Sequence, residues 1–179
     1  VVSHENLVRK MQFPRLVIPL SVVLTGAFTL CLNLIAAFAI VLAVGVEPRS
    51  TWLLLPVLLF VLIAFTAGVA LILSSLFVRF RDVQHIWAVV SRALLYGLPI
   101  LYPIDFVPEG VLRWLVAANP LAPVFEQLQV WVVDPTAPGT IEAAGSTALV
   151  VVPLLLLAAI PVFGVWYFDR QAPRIAEEL

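Results

Sequence analysis

Few residues in this chain of 179 have the types and spacing that site chemistry requires, and no set of them completes a catalytic arrangement. Asp105 and Glu109 are close enough in sequence to work as an acid/base pair, but they flank a turn around Pro108 and have no histidine or basic companion. His4, His85 and the single cysteine, Cys31, are too scattered to form a metal-ligand cluster, and one cysteine cannot close an internal disulfide. Cys31 reads as a small apolar filler. A phosphate-binding loop ends in Gly-Lys-Ser/Thr, whereas the only lysine, Lys10, is flanked by Arg9 and Met11. The pattern excludes a nucleotide-driven motor and argues against an enzyme. It leaves two features to explain: the lone charge Arg92, and the interrupted segment "LRWLVAANPLAPVFEQLQVW" at 112 to 131.

The elements that position these features follow from hydropathy. Hydrophobic residues make up 63% of the chain and charged residues 12%, with a mean hydropathy of +1.10, against roughly 25% charged in a soluble domain. Charge-free runs cover 16 to 46 and 50 to 78, separated by Glu47 and Arg49. About 20 apolar residues suffice to cross the roughly 30 Å hydrocarbon layer. A third run, 83 to 104, is apolar except for His85 and Arg92, and a fourth, 143 to 168, carries no charge. Alternating barrel strands would need only about 10 residues each, so helices are expected. The expected fold is all-α and polytopic, with spans at 16–45, 51–78, 83–104 and 144–168, a re-entrant hairpin at 110–133 and a tail at 169–179. The net charge of −1 implies no nucleic-acid partner. Residue 1 is Val, and "VVSHENLVRK" has neither the order nor the length of a signal peptide, so the sequence is expected to be part of a longer chain.

Charge distribution decides how 110–133 lies. If it returns to the face it entered from, Arg9, Lys10, Arg15, Arg79, Arg81, Arg170 and Arg174 share one side, seven against Arg49 and Arg113 on the other. A full crossing moves the tail, with Arg170 and Arg174, to the far side and, with Arg113 inside the span, lowers the ratio to five against three. The positive-inside rule selects the first arrangement, with both ends cytoplasmic. Trp52 and Tyr102 then fall near the outer interface and Trp87, Trp166 and Tyr167 near the inner one, while Tyr96 does not fit the aromatic belts.

Within the interrupted segment, Asn119 can cap free N–H groups and Pro120 suits a first helical position. In the helix that follows, Leu121, Phe125, Leu128 and Val132 fall on one face and Ala122, Glu126 and Gln129 on another. The preceding arm, Val111 to Ala118, is about two turns and cannot cross. Two short arms around a polar break make a re-entrant hairpin at the outer face, tolerated only where protein or water shields the broken backbone, and therefore suited to line or cap a passage. Two interfacial helices lying on the outer leaflet are the alternative. The stretch "DPTAPGTIEAAGS", 134 to 146, reads as a flexible outer connection.

Ser3 can cap a short amphipathic helix that stops at Phe13-Pro14, giving a cytoplasmic helix over 1–14 with Arg9 and Lys10 as topology anchors. Arg92 lies about 13 Å into its expected span, where a charge on lipid costs roughly 2.5 kcal/mol or more, so it must snorkel, pair or face water.

"ENLVRKMQFPRLVIPLS" resembles the loop between the second and third membrane helices of type-2 ABC transporter permeases that export polysaccharides such as O-antigen and teichoic acid. "SLFVRFRDVQHI" resembles the junction of their fourth and fifth helices, and "YPIDFVPEGVLRWLVAANPLAPVFEQLQ" is similar to their extracytoplasmic gate region. The motifs occur in family order over nearly the whole chain.

The resemblance implies a six-helix permease of which this chain holds the last four helices, lacking the first two. It implies residence in the bacterial cytoplasmic (inner) membrane as a homodimer docked on separate ABC ATPase subunits. ATP and magnesium then belong to the partner, and this chain binds no cofactor or metal. Residues 5 to 13 would form the coupling helix, with Glu5, Arg9, Lys10, Phe13 and Arg15 as contacts to the ATPase. "FVRFRD", 77 to 82, supplies Arg79, Arg81 and Asp82 as a positive-inside anchor with a local ion pair, with a role in meeting the ATPase or a lipid-linked substrate as the alternative. The hairpin would gate a channel for a glycan or lipid-linked glycan, with Arg92, Tyr96, Tyr102, Trp114, Asn119, Pro120, Phe125 and Trp131 as channel and gate residues. Flat aromatic faces can contact the C–H surfaces of sugar rings without gripping a hydroxyl pattern, which lets a polymer slide. For each aromatic, ordinary packing or interface anchoring is the competing role. A drug or lipid efflux permease of the same superfamily is the nearest competing function, and a passive membrane scaffold is a third.

Overall fold

The structure of the chain, a computed structural model, describes residues 16–80, 82–98, 111–137, 139–141 and 147–175. The expected coupling helix and Tyr102 lie outside them. The regular structure among the described residues is helical, and no strand occurs there.

Helix α1, Val17–Ala43, is about 40 Å long at 1.5 Å per residue and can cross a bilayer. Pro19 sits in its first turn, where its missing N–H costs nothing. Three hydroxyls along it bond back to the preceding turn: Ser21 Oγ donates to Ile18 O at 2.8 Å, Thr25 Oγ1 to Ser21 O at 2.8 Å and Thr29 Oγ1 to Thr25 O at 3.0 Å. Each polar group is thereby satisfied inside an apolar helix. Gly45 ends the helix with φ +90, a left-handed conformation that a side chain would strain.

A 3-10 turn, Ser50–Leu54, leads into α2, Leu55–Arg79, and the two together form a second candidate span, Ser50–Phe77. Phe38 of α1 packs at a tilt against Trp52 of the turn, ring centroids 4.7 Å apart and planes at 58°. Helix α2 ends at the extended Phe80, whose ring carries the Arg79 guanidinium at 5.5 Å. Helix α3, Val83–Tyr96, follows. Its 14 residues are about 21 Å long, short of a full crossing by themselves. A helical hairpin comes next: α4, Val111–Ala117, then a turn, then α5, Ala122–Leu128, running into a π-helical turn, Gln129–Val133. Helix α6, Thr147–Ile175, supplies the third candidate span, Leu149–Gln171, and carries on through Asp169 and Arg170.

Helices α2 and α6 form the centre. They meet at two glycines, where a Cβ built on Gly68 would lie 2.6 Å from Pro161 Cα and one on Gly164 would lie 2.8 Å from Gly68 Cα. Backbones touch there because no side chain intervenes, the packing mode favoured where lipid offers no hydrophobic drive between helices. Next to this crossing Phe65, Val124 and Leu157 form a buried cluster that joins α2, α5 and α6, with Leu58, Val61, Val69, Leu121 and Ile160 around it. Leu71 and Pro153 are fully buried, and Ser75 Oγ is satisfied by Leu71 O at 2.9 Å.

Gly68→Leu is expected to force α2 and α6 apart at a cost of about 1–3 kcal/mol, lowering the melting temperature of the detergent-purified protein. Gly26→Leu, where a Cβ meets nothing within 4 Å, is expected to leave it unchanged.

Candidate functional site

The hairpin is built around Asn119. Ala118 N donates to Trp114 O at 2.8 Å and Asn119 N to Val116 O at 3.2 Å, closing the first arm. Asn119 Oδ1 then accepts from Leu121 N at 3.0 Å, a side-chain turn that reverses the backbone. Helix α5 begins at Ala122 with Pro123 in its first turn, so Pro120 precedes the helix rather than opening it. Asn119 is buried, 6% exposed, and both ends of its amide are engaged: Nδ2 donates to Leu94 O of α3 at 2.9 Å. The far end of the second arm is tied as well, because Thr51 Oγ1 at the head of α2 donates to Trp131 O at 2.8 Å. The hairpin is thus pinned at its tip to α3 and at its return end to the start of α2.

Helix α5 turns inward Ala122 and Glu126 of the face that its sequence marks as polar, while Gln129 just beyond the helix is exposed. Ala122, Pro123, Val124 and Glu126 are buried, whereas Phe125 is half-buried. Glu126 is 9% exposed and takes a hydrogen bond from the Thr140 side chain, in the segment that leads to α6. One bonded hydroxyl lets the carboxyl sit among apolar neighbours. Sequence reasoning did not single out Glu126; its signal was its spacing from Ala122, four residues apart and so on one face.

Two cavities flank the hairpin. One, about 290 Å³, lies between α2, α3 and the hairpin and is walled by Phe65, Val69, Trp87, Leu98, Leu121 and Phe125. Its two hydroxyls, Thr66 and Ser91, are engaged with Leu62 O at 2.8 Å and Ala88 O at 3.3 Å, so the walls are effectively apolar. The other, about 690 Å³, lies between α2, α5 and α6, with Gln127 and Thr140 as polar groups among Leu58, Pro123, Val150 and Leu154.

Of the residues expected at the channel and gate, Phe125 lines the smaller cavity and Asn119 reaches the top of α3 beside it. Arg92 and Tyr96 lie one turn apart on α3, both exposed. Trp114 is 60% exposed on the first arm, and Trp131 is half-buried at the other end of the hairpin. Tyr102 and the five expected ATPase contacts, Glu5, Arg9, Lys10, Phe13 and Arg15, lie outside the described residues. Beyond the hairpin, Asp134 Oδ1 accepts from the Thr136 hydroxyl at 2.6 Å and its N–H at 2.8 Å. These bonds, helped to a smaller extent by the charge of Arg49, hold the Asp134 carboxyl below the usual carboxylate range. Trp52 Nε1 is buried without a hydrogen-bond partner. Among the described residues no group of three His, Cys, Asp or Glu side chains could hold a metal ion.

A family model described as "ABC-2 type transporter" matches residues 1–132. The chain belongs to the ABC-2 transporter family. Within that family it is 36% identical over 124 residues to the O-antigen export system permease protein RfbA of Klebsiella pneumoniae, covering 68% of this chain and 47% of the relative. It is 28% identical over 182 residues to the protein of the same name from Myxococcus xanthus, covering 99% of this chain and 66% of the relative. The chain therefore spans about half of the Klebsiella relative and two-thirds of the Myxococcus one. No solved structure matches this ABC-2 chain. The family match takes in α1, α2, α3 and most of the hairpin, so the geometry around Asn119 lies within it.

In the full-length ABC-2 protein, Glu126→Gln is expected to keep the Thr140 bond and leave accumulation in membranes within about twofold of wild type. Glu126→Lys places a longer cation in the same buried position and is expected to abolish accumulation, as read on immunoblots of membrane fractions.

Proposed function

We propose that the chain is the membrane-spanning permease part of an ATP-driven exporter that moves polysaccharide or lipid-linked glycan across the bacterial cytoplasmic membrane. ATP is hydrolysed on a separate ATPase subunit, and two permease copies pair around the path. The observation that carries this reading is the likeness, over 99% of the chain, to an O-antigen export permease.

In this reading the chain has four spans, with the ends on the cytoplasmic side, and the hairpin is re-entrant from the outer face. Two contacts support that arrangement. Thr51, which holds the return end of the hairpin, stands at the head of α2. Leu94, which holds its tip, is eleven residues along α3 from Val83, about 16 Å above the inner end of that helix. A segment that begins and ends near the outer face, with its tip close to the middle of a roughly 30 Å layer, enters without crossing.

Each part then has a task. Residues 5 to 13 dock on the ATPase, with Phe13 as the apolar anchor and Glu5, Arg9, Lys10 and Arg15 orienting it by charge. The hairpin closes the outer end of the path, and Trp114, Phe125, Trp131, Tyr96 and Tyr102 offer aromatic faces to a sliding sugar chain. Arg92 faces the inner half of the path or the second copy, where its charge meets water or a partner.

Deletion of the full-length gene is expected to remove surface polysaccharide and leave a lipid-linked polymer inside the cell. Unchanged surface glycan with loss of drug resistance would instead assign the protein to drug efflux. After Cys31→Ser, a thiol introduced by Thr136→Cys is expected to react with impermeant maleimide in intact cells, whereas those of Arg9→Cys and Glu178→Cys stay protected until the cells are opened. Labelling of Glu178→Cys in intact cells would refute the re-entrant hairpin.

A further inference from the structure

The hydrogen bond between Asn119 and Leu94 joins two bodies that otherwise touch little. The second arm of the hairpin belongs to the central body, because Val124 sits in the buried cluster with Phe65 of α2 and Leu157 of α6. Helix α3 is not held in this way. None of its residues is buried, and Ile86, Val89, Leu95 and Tyr96 are each more than half exposed. Its lower end, Val83, comes four residues after the end of α2 at Arg79, on the side where the proposed function places the ATPase.

The chemistry at the top of α3 makes the bond specific. Gly97 N donates to Ala93 O at 2.9 Å and Leu98 N to Leu95 O at 3.2 Å, so neither of these terminal N–H groups reaches the carbonyl of Leu94. A helix-end carbonyl partly withdrawn from solvent gains from a donor, and among the described residues Asn119 Nδ2 supplies one at 2.9 Å. Gly97 stands beside the contact: a Cβ there would lie in ordinary van der Waals contact with Asn119 Nδ2, at 3.4 Å, and closer, at 3.1 Å, to Ala93 O. Leu98, 3% exposed, closes the apolar cavity beneath the contact. Such a bond is directional, so it either carries a shift of α3 to the hairpin tip or breaks.

We propose that the Asn119–Leu94 bond is the tie through which a displacement of α3, started at its cytoplasmic end, opens the hairpin, so that Asn119 is a positioning residue for export. This inference rests on the export reading above. A purely structural bond would set how much transporter folds. A transmitting bond sets how much glycan moves for each ATP consumed.

The test uses the full-length permease with its ATPase in proteoliposomes loaded with the glycan carried by the host, measuring ATP hydrolysis and glycan export in the same vesicles. Asn119→Ser keeps an acceptor for Leu121 N but is too short to reach Leu94 O. It is expected to lower export per ATP tenfold or more while ATP hydrolysis stays within about twofold of wild type. Gly97→Val leaves Asn119 and its turn in place and adds methyl groups beyond a Cβ that would already stand 3.4 Å from Asn119 Nδ2, so it crowds the bond. It is expected to lower the same ratio two- to fivefold without loss of protein. An unchanged ratio in both variants, or export and hydrolysis that fall in parallel, or failure of both variants to accumulate, would overturn the inference. A wild-type transporter that hydrolyses ATP yet exports no glycan would refute the permease reading itself, and is told apart by needing no variant.

Discussion

The rest of the structure depends on the contact between Gly68 and Gly164. In a bilayer the lipid tails are as apolar as leucine side chains, so two apolar helices gain little from hiding from the solvent around them. What holds α2 to α6 is close backbone approach, and this is available only where both helices omit a side chain at the same height. Once the two helices are locked, Phe65 and Leu157 stand side by side and leave room for one further apolar residue, which Val124 of the hairpin fills. The position of the hairpin is therefore a consequence of the glycine contact rather than of its own stability. Seven-residue helices such as α4 and α5 are too short to persist alone.

Around that centre polar groups are placed sparingly, and among the described residues nearly every buried one is used. The hydroxyls of α1 turn back onto their own helix, Ser75 and Thr66 do the same in α2, and Asn119 spends both ends of its amide. In a low-dielectric setting an unbonded polar group is expensive, so each one that remains marks a place where geometry had to be fixed. Among the described residues, hydrogen bonds between separate parts of the chain accordingly hold the hairpin, Asn119 to Leu94 at its tip, Thr51 to Trp131 at its return end and Thr140 to Glu126 between them. Trp52 Nε1, buried with no partner among the described residues, departs from this economy, and the structure gives no physical account of it.

The sequence carried the coarse architecture plainly, since an absence of charge over 16 to 46, 50 to 78 and 143 to 168 is itself the signal for a long apolar helix. The break at Asn119 was equally legible, because Asn followed by Pro interrupts a helix by rules that do not depend on the fold. What was not legible came from tertiary contact. The amphipathic pattern of 121 to 132 suggested an apolar side led by Phe125, but the fold buries Ala122 and Glu126, whose carboxyl finds the Thr140 hydroxyl from a later segment. The partner of Asn119 could not be read at all, since Leu94 contributes a backbone carbonyl, which every residue has. Gly68 and Gly164 looked like ordinary glycines in apolar helices until their shared height was known.

Helix α6 also contains two prolines well inside its length, Pro153 and Pro161, one fully buried and the other pressed against Gly68. A proline inside a helix has no N–H to offer the carbonyl four residues earlier, here those of Leu149 and Leu157. The rod is consequently softer at these two heights than between them, and flexure concentrates there. The stretch from 153 to 161, which holds Leu157 against the hairpin, can tilt as a short stiff block while the ends of the helix stay seated.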